Sequence, residues 1–227
     1  MRKTASLLAV ASAAIMLSAC FTGERASFAP DDTLAPANNT GESGPASVAD
    51  GLPSDPKALA ALFGSAARAP ETATYEIRPT GSSEPAVVAV VSRDTERLMV
   101  SVRDIQYRVE SGNPLTCREA TQSCTRGLNS QPLSDLNIGA QFWGPAIRQQ
   151  LQSPTLASRI GPVRTTEAQI AGQLSICIDV PGPQVTDRYC ALPTGLLATL
   201  NTAAVSITLT SYEPSFDETR WAAFPDA

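Results

Sequence analysis

Apolar residues fall into three patterns along the chain, and each predicts a different element. The first is an unbroken apolar run from Ala5 to Met16, behind the basic pair Arg2-Lys3. The second is spacing by threes and fours. Leu59, Leu62, Phe63 and Ala66 recur at i, i+3, i+4 and i+7 behind Asp55-Pro56, which predicts an amphipathic helix with an N-cap and a proline at its first position. Leu136, Ala140, Trp143, Ile147 and Leu151 repeat the spacing, with Phe142 alongside and Gly144-Pro145 expected to kink or divide the segment. The third is alternation by twos, which predicts strands.

Ala73, Tyr75 and Ile77 alternate with Thr74, Glu76 and Arg78, and Val87 to Val91 is a near-continuous β-branched run. Leu98, Val100 and Val102 alternate with polar residues. Ile105, Tyr107 and Val109 do so in the opposite parity, which predicts a turn or bulge near Asp104. Residues 111–131 read as a cysteine loop. Gln169 to Val180 reads as one long strand, with Ile170, Leu174, Ile176, Ile178 and Val180 on one face, and a turn at Pro181-Gly182-Pro183 leads back through Arg188-Tyr189-Cys190. Val205, Ile207 and Leu209 mark a last strand, and the tail carries Trp221 and Phe224 for docking on the sheet. The expectation is seven or eight antiparallel strands in an α+β domain, curled and covered by helices so that the apolar face is buried.

The first apolar run has another meaning. A basic start, an apolar stretch too short for a stable span and the small-residue close Leu17-Ser18-Ala19-Cys20 make a secretory signal. Leu-Ser-Ala-Cys resembles the lipobox of bacterial lipoproteins, which implies cleavage after Ala19 and lipidation of Cys20. Residues 1–19 are then the signal. Residues 20–54 are the lipidated cysteine and a disordered tether, rich in Ala, Pro, Gly, Ser, Thr and Asn without hydrophobic period. Residues 55–227 are the folded domain, anchored on the extracytoplasmic face of a membrane.

That compartment organises the cysteines. Of five, Cys20 is assigned to lipid, leaving Cys117, Cys124, Cys177 and Cys190, an even number in an oxidising space. Three pairings are possible, and the two local ones, Cys117–Cys124 and Cys177–Cys190, are favoured. Their spacings are not those of zinc sites.

Candidate chemistry is sparse. The chain has no histidine and a net charge of −5, which becomes more negative when Arg2 and Lys3 leave with the signal. The absence of histidine removes Ser-His-Asp, Cys-His and His-metal chemistry. An acidic, lysine-poor chain offers no footprint for nucleic acid. No phosphate loop or calcium loop occurs. The reading is a non-enzyme without a cofactor or a metal.

The stretch from Ala168-Gln169-Ile170-Ala171-Gly172-Gln173 through Tyr189-Cys190, Pro193-Thr194-Gly195-Leu196-Leu197 and Ser206-Ile207-Thr208-Leu209-Thr210-Ser211-Tyr212 to Phe224-Pro225 resembles the C-terminal half of actinobacterial envelope lipoproteins with a LolA/LolB-like fold, akin to the LprG/LppX group. The resemblance implies a strongly curved antiparallel half-barrel, with helices packed in its concave side around an apolar cavity. The cavity would hold lipid or lipoglycan acyl chains for transport through the cell envelope, with a transport partner protein. Apolar parity nominates Leu59, Phe63, Leu98, Val100, Phe142, Trp143, Ile147, Leu151, Leu174, Ile176, Ile207 and Leu209 to line it. The alternative is an anchored, non-enzymatic sensor or protein-interaction module, as in RseB-like regulators. A carrier needs an open void of lipid size, whereas a module can have the same positions filled by side chains.

Overall fold

The computed structural model describes residues 56–153, 165–182 and 185–224. The expected signal, Cys20, the tether, Asp55, Pro183 and Pro225 lie outside the described residues. The chain runs α1 (Pro56–Leu62), β1 (Glu71–Pro79), β2 (Val87–Arg93), β3 (Arg97–Val102), β4 (Ile105–Glu110), β5 (Asn113–Arg118), β6 (Ser123–Arg126), α2 (Pro145–Gln152), β7 (Thr165–Ile170), β8 (Gln173–Pro181), β9 (Thr186–Ala191), β10 (Leu197–Asn201), β11 (Val205–Glu213) and α3 (Glu218–Trp221).

All eleven strands form one antiparallel sheet in the order β6-β5-β4-β3-β2-β1-β11-β10-β9-β8-β7. Two meanders, β1–β6 and β7–β11, meet where β1 pairs with β11, with Tyr75 opposite Leu209 and Ile77 opposite Ile207. The expected fold class is corrected here. The protein is predominantly β, not an α+β half-barrel of LolA type. The sheet is open, with β6 and β7 at its two edges, and does not curl strongly around packed helices. Among the described residues the α-helices are short, at 7, 8 and 4 residues. Among the described residues too little is helical to fill a barrel's concave side, and the strands account for most of the core.

Turn chemistry bears out one strand expectation and corrects two others. Asp104 does sit in a two-residue turn, with Arg103 at φ 56° and Val102 opposite Ile105. The same device recurs at Ser111-Gly112 (φ 47° and 80°), so most of the expected cysteine loop is the β5–β6 part of the sheet. It recurs at Ala171-Gly172 (φ 50° and 73°), so Gln169–Val180 is a hairpin and not one strand. Ile170 consequently lies opposite Gln173, on the other face from Leu174, because a two-residue turn reverses the parity of the strand after it. The signal missed at the last of these was weak: Ala-Gly is not the Asn-Gly or Asp-Gly pair that announces such a turn.

One face of the sheet is covered by α1, the segment 128–144 and α2. Gly144-Pro145 divides the expected long helix, leaving a 3-10 segment, Gln131–Leu136, before α2. Leu59 from α1, Phe63 just after it, and Ile147 and Leu151 from α2 join Tyr75, Ile77, Val91, Val100, Ile178 and Ile207 in one core cluster. Tyr75 and Phe142 meet edge to face at 5.5 Å.

Three glycines let the covering layer approach so closely. The Gly64 N–H donates to the Gly195 carbonyl at 2.9 Å. A Cβ on Gly144 would sit 2.5 Å from the Gly64 nitrogen, and one on Gly195 (φ 89°) would overlap Ser65 Oγ and the Leu62 carbonyl. Gly195→Ala is expected to destabilise the domain by about 1–3 kcal/mol through backbone strain alone, with overlap adding to it. A urea melt of the variant within 0.5 kcal/mol of wild type would contradict this close junction of α1, α2 and the β9–β10 turn.

Candidate functional site

The expected cavity residues are packed tightly. Leu59, Phe63, Val100, Phe142, Trp143, Ile147, Leu151, Ile176, Ile207 and Leu209 are each 6% exposed or less. Leu98 and Leu174 are half-buried. A side chain lining a void wide enough for an acyl chain keeps surface that a water-sized sphere can touch. These positions are in contact with one another and with the core.

The four remaining cysteines form two disulfides between directly opposed residues, Cys117–Cys124 across β5–β6 and Cys177–Cys190 across β8–β9. Asp179 and Arg188 face each other two residues further on, 3.7 Å apart. Two disulfides make this an extracytoplasmic protein. Among the described residues no helix is long and apolar enough to cross a membrane.

Two polar constellations that periodicity did not nominate hold charged side chains against the sheet. The first is buried. Glu71 opens β1 and Arg93 closes β2 directly opposite it. The Arg93 guanidinium donates to Glu71 Oε1 at 2.7 Å, to the Ser65 carbonyl at 2.8 Å and to the Thr194 carbonyl at 2.6 Å. Tyr212 Oη donates to Glu71 Oε2 at 3.0 Å, and the guanidinium lies 5.0 Å from the Trp143 ring. Every strong bond runs inward, so the pair ties the end of α1, the sheet and the β9–β10 turn together. It is a structural clamp, with its charges neutralised and its donors used. A groove of about 530 Å³ lies beside it, lined among others by Leu62, Pro70, Pro193, Tyr212 and Pro214.

Burial pushes the phenols upward: Tyr107 and Tyr189 to about 12, and Tyr212 likewise, helped by the neighbouring Glu71. Tyr75, fully enclosed, rises further still. A raised folded-state value means that stability is complete below the free phenol's range, near pH 10, and drains away as pH rises toward 12. Phenolate absorbance is therefore expected to appear together with unfolding above pH 10. Early, independent titration of most tyrosines would contradict their burial.

The second constellation is on the opposite face, where residues 214–224 cross β1–β4 as a strap. Sheet side chains grip its backbone. Thr72 Oγ1 donates to the Ser215 carbonyl at 2.6 Å, Ser92 Oγ accepts the Asp217 N–H at 2.8 Å, and Gln106 Nε2 donates to the Arg220 carbonyl at 3.0 Å. Arg108 donates to the Phe224 carbonyl. Arg97 binds the Glu218 carboxylate through both terminal nitrogens, at 3.0 and 2.8 Å, and Asp94 from behind at 2.9 Å. Its guanidinium lies 4.0 Å from the Phe216 ring, and that of Arg108 lies 3.7 Å from the Trp221 ring. The expected docking of the tail is thus made by arginine–aromatic stacks and backbone hydrogen bonds. An aromatic-rich tail without period was the signal; which sheet arginines receive it is not written in any local pattern.

The hydrogen bond from Arg97 holds the Glu218 carboxyl below the usual range. Burial would raise Asp94, but backbone N–H groups of Glu96 and Arg97, with the Arg97 side chain, outweigh it and hold that carboxyl low as well. A depressed folded-state value contributes stability that is present above the ordinary carboxylate range and lost as pH falls through the folded value. Strap attachment is expected to be constant down to about pH 5 and to weaken below about pH 4. Trp221 fluorescence followed in a Trp143→Phe background reads this, and an unchanged signal down to pH 2 would contradict it.

No protein-family model and no curated protein matches the chain. Two solved structures of PNGF-II, in space groups C2 and P21, are similar to part of it, at 8% identity and TM-scores of 0.37 and 0.33. The matches cover 70% and 67% of this chain and 30% of each PNGF-II chain, so the chain spans less than a third of the proteins it matches. Likeness at that level carries no argument about activity.

Proposed function

We propose that this protein is a non-enzymatic protein-interaction module of the cell envelope, tethered to the membrane through lipidated Cys20. One observation carries the choice over a lipid carrier: the positions nominated to line an acyl-chain cavity are packed into the core, 6% exposed or less except for half-buried Leu98 and Leu174. With those positions packed into the core, the functional surface in this reading is the outside of the sheet. The absence of histidine and the commitment of the cysteines to disulfides support a binding role over catalysis. A lipidated cysteine and a long polar tether would hold the domain clear of the membrane, within reach of envelope proteins.

Two measurements on the same protein test this. Native mass spectrometry of residues 21–227, exported to an oxidising compartment and exposed to envelope lipid extract, is expected to give a clean protein mass. Photo-crosslinking from Val88, which is 56% exposed on the outer face, is expected to trap a discrete protein adduct in intact cells. Reproducible lipid adducts, released as lipids on denaturation, would overturn the reading in favour of the carrier.

A further inference from the structure

The strap binds its own sheet the way a peptide ligand binds a receptor. Thr72, Ser92, Gln106 and Arg108 address its backbone, an interaction open to any segment that follows the same path. Selectivity comes from Arg97 and Arg108, which take a carboxylate and two aromatic rings. This cationic pair stands out in a chain of net charge −5.

The fit of the resident segment is incomplete in two respects. Gln106 is 1% exposed, yet its Oε1 has no hydrogen-bond partner, so the strap leaves a buried acceptor unmet at the floor of the site. A space of about 460 Å³ also remains between the strap and the outward-facing Thr72, Thr74 and Val90. The strap's hold is weak where solvent reaches it: Glu218 is 66% exposed at its bond to Arg97, and the segment has one buried aromatic anchor, Phe224 at 4%. Segments held by few buried contacts open locally at a small fraction of the global unfolding cost.

We propose that the outer face of β1–β4 is a recognition site for an acidic–aromatic peptide segment of a partner protein, and that residues 214–224 occupy it in cis as an internal competitor. The inference rests on the interaction-module reading and names its site. The matching segment carries a carboxylate for Arg97 and an aromatic ring three residues later for Arg108, the spacing of Glu218 and Trp221. A hydrogen-bond donor aimed at Gln106 Oε1 gives it the advantage over the strap. A site that is open only part of the time binds with its affinity reduced by that fraction, so loosening the strap strengthens binding in trans.

The test uses a fluorescein-labelled peptide of residues 213–224 and fluorescence anisotropy on the full chain. Trp221→Ala removes the half-buried ring that stacks on Arg108 and leaves the face intact. It is expected to bind the probe at least tenfold more tightly than wild type, and adding Arg108→Ala is expected to abolish that gain. Glu218→Gln, at an exposed position, gives a second loosened strap and is expected to show a gain of about threefold. Absence of any gain in either variant, with circular dichroism and both disulfides as in wild type, overturns the proposal and makes the strap a fixed part of the fold. Dimers of the wild-type chain that dissociate as the probe binds would also overturn it, by identifying the strap of a second copy as the occupant. If the probe fails while crosslinking from Val88 still traps a partner, the module reading stands and this site falls.

Discussion

Replacing Arg93 with methionine should lower the unfolding free energy by about 3–5 kcal/mol, the range for breaking a buried ion pair by removing one partner. Both side chains are almost wholly enclosed, at 4% and 3% exposure, so neither is screened by solvent. The variant leaves Glu71 charged in the interior with only Tyr212 as donor, and it strips a hydrogen bond from the carbonyls of Ser65 and Thr194. The double variant Glu71→Met/Arg93→Met should be more stable than Arg93→Met alone, because it removes the stranded charge as well. Urea unfolding of the wild type, Glu71→Met, Arg93→Met and the double variant completes the cycle. A single variant within 1 kcal/mol of wild type, or a double variant no better than the single, would mean that the clamp is open to water.

The second large effect is expected from the disulfides, and the two should differ. Opening Cys177–Cys190 by double substitution with alanine releases a loop with a sequence separation of 13, and opening Cys117–Cys124 releases one of 7. Chain entropy assigns about 3 kcal/mol to the first and about 2.4 to the second. Packing widens the gap: Cys177 and Cys190 are both fully buried in the core cluster, whereas Cys124 is half-buried on a four-residue edge strand. Loss of the β8–β9 bridge should therefore be the costlier, and the β5–β6 bridge should be reduced first as dithiothreitol is raised. A difference no larger than the roughly 0.6 kcal/mol from loop closure would show that the buried sulfurs add nothing beyond it.

The legible part of the sequence can be traced residue by residue. Alternation at Ala73, Tyr75 and Ile77 and at Val205, Ile207 and Leu209 marked two strands, and the structure pairs these with each other at the centre of the sheet. Nothing local announces that pairing, since the two runs are more than a hundred residues apart. The same limit hid the buried clamp. Arg93 follows a β-branched run and Glu71 precedes an alternating one, and each alone reads as a solvated strand end. Only their opposition across β1–β2 puts both in the interior. The nominated cavity residues were correctly apolar, but apolarity cannot distinguish a lining from a packed core.

Local pattern was enough for most of the elements and for the compartment chemistry. Period-two alternation requires half-buried strands, and four cysteines in two local pairs close hairpins within reach of their own loops. Everything that depends on close approach of distant segments was settled in three dimensions. The sheet stays open in place of a half-barrel, and the described helices on its covered face, of seven and eight residues, are too short to fill a concave side. Gly64, Gly144 and Gly195 form a junction where only missing Cβ atoms allow backbones to touch. Arg97 and Arg108 come to lie beneath the aromatic strap. Hydrophobic period is a property of neighbours in the chain. A clamp, a junction or a recognition face is a property of neighbours in space, and the sheet's pairing order creates those.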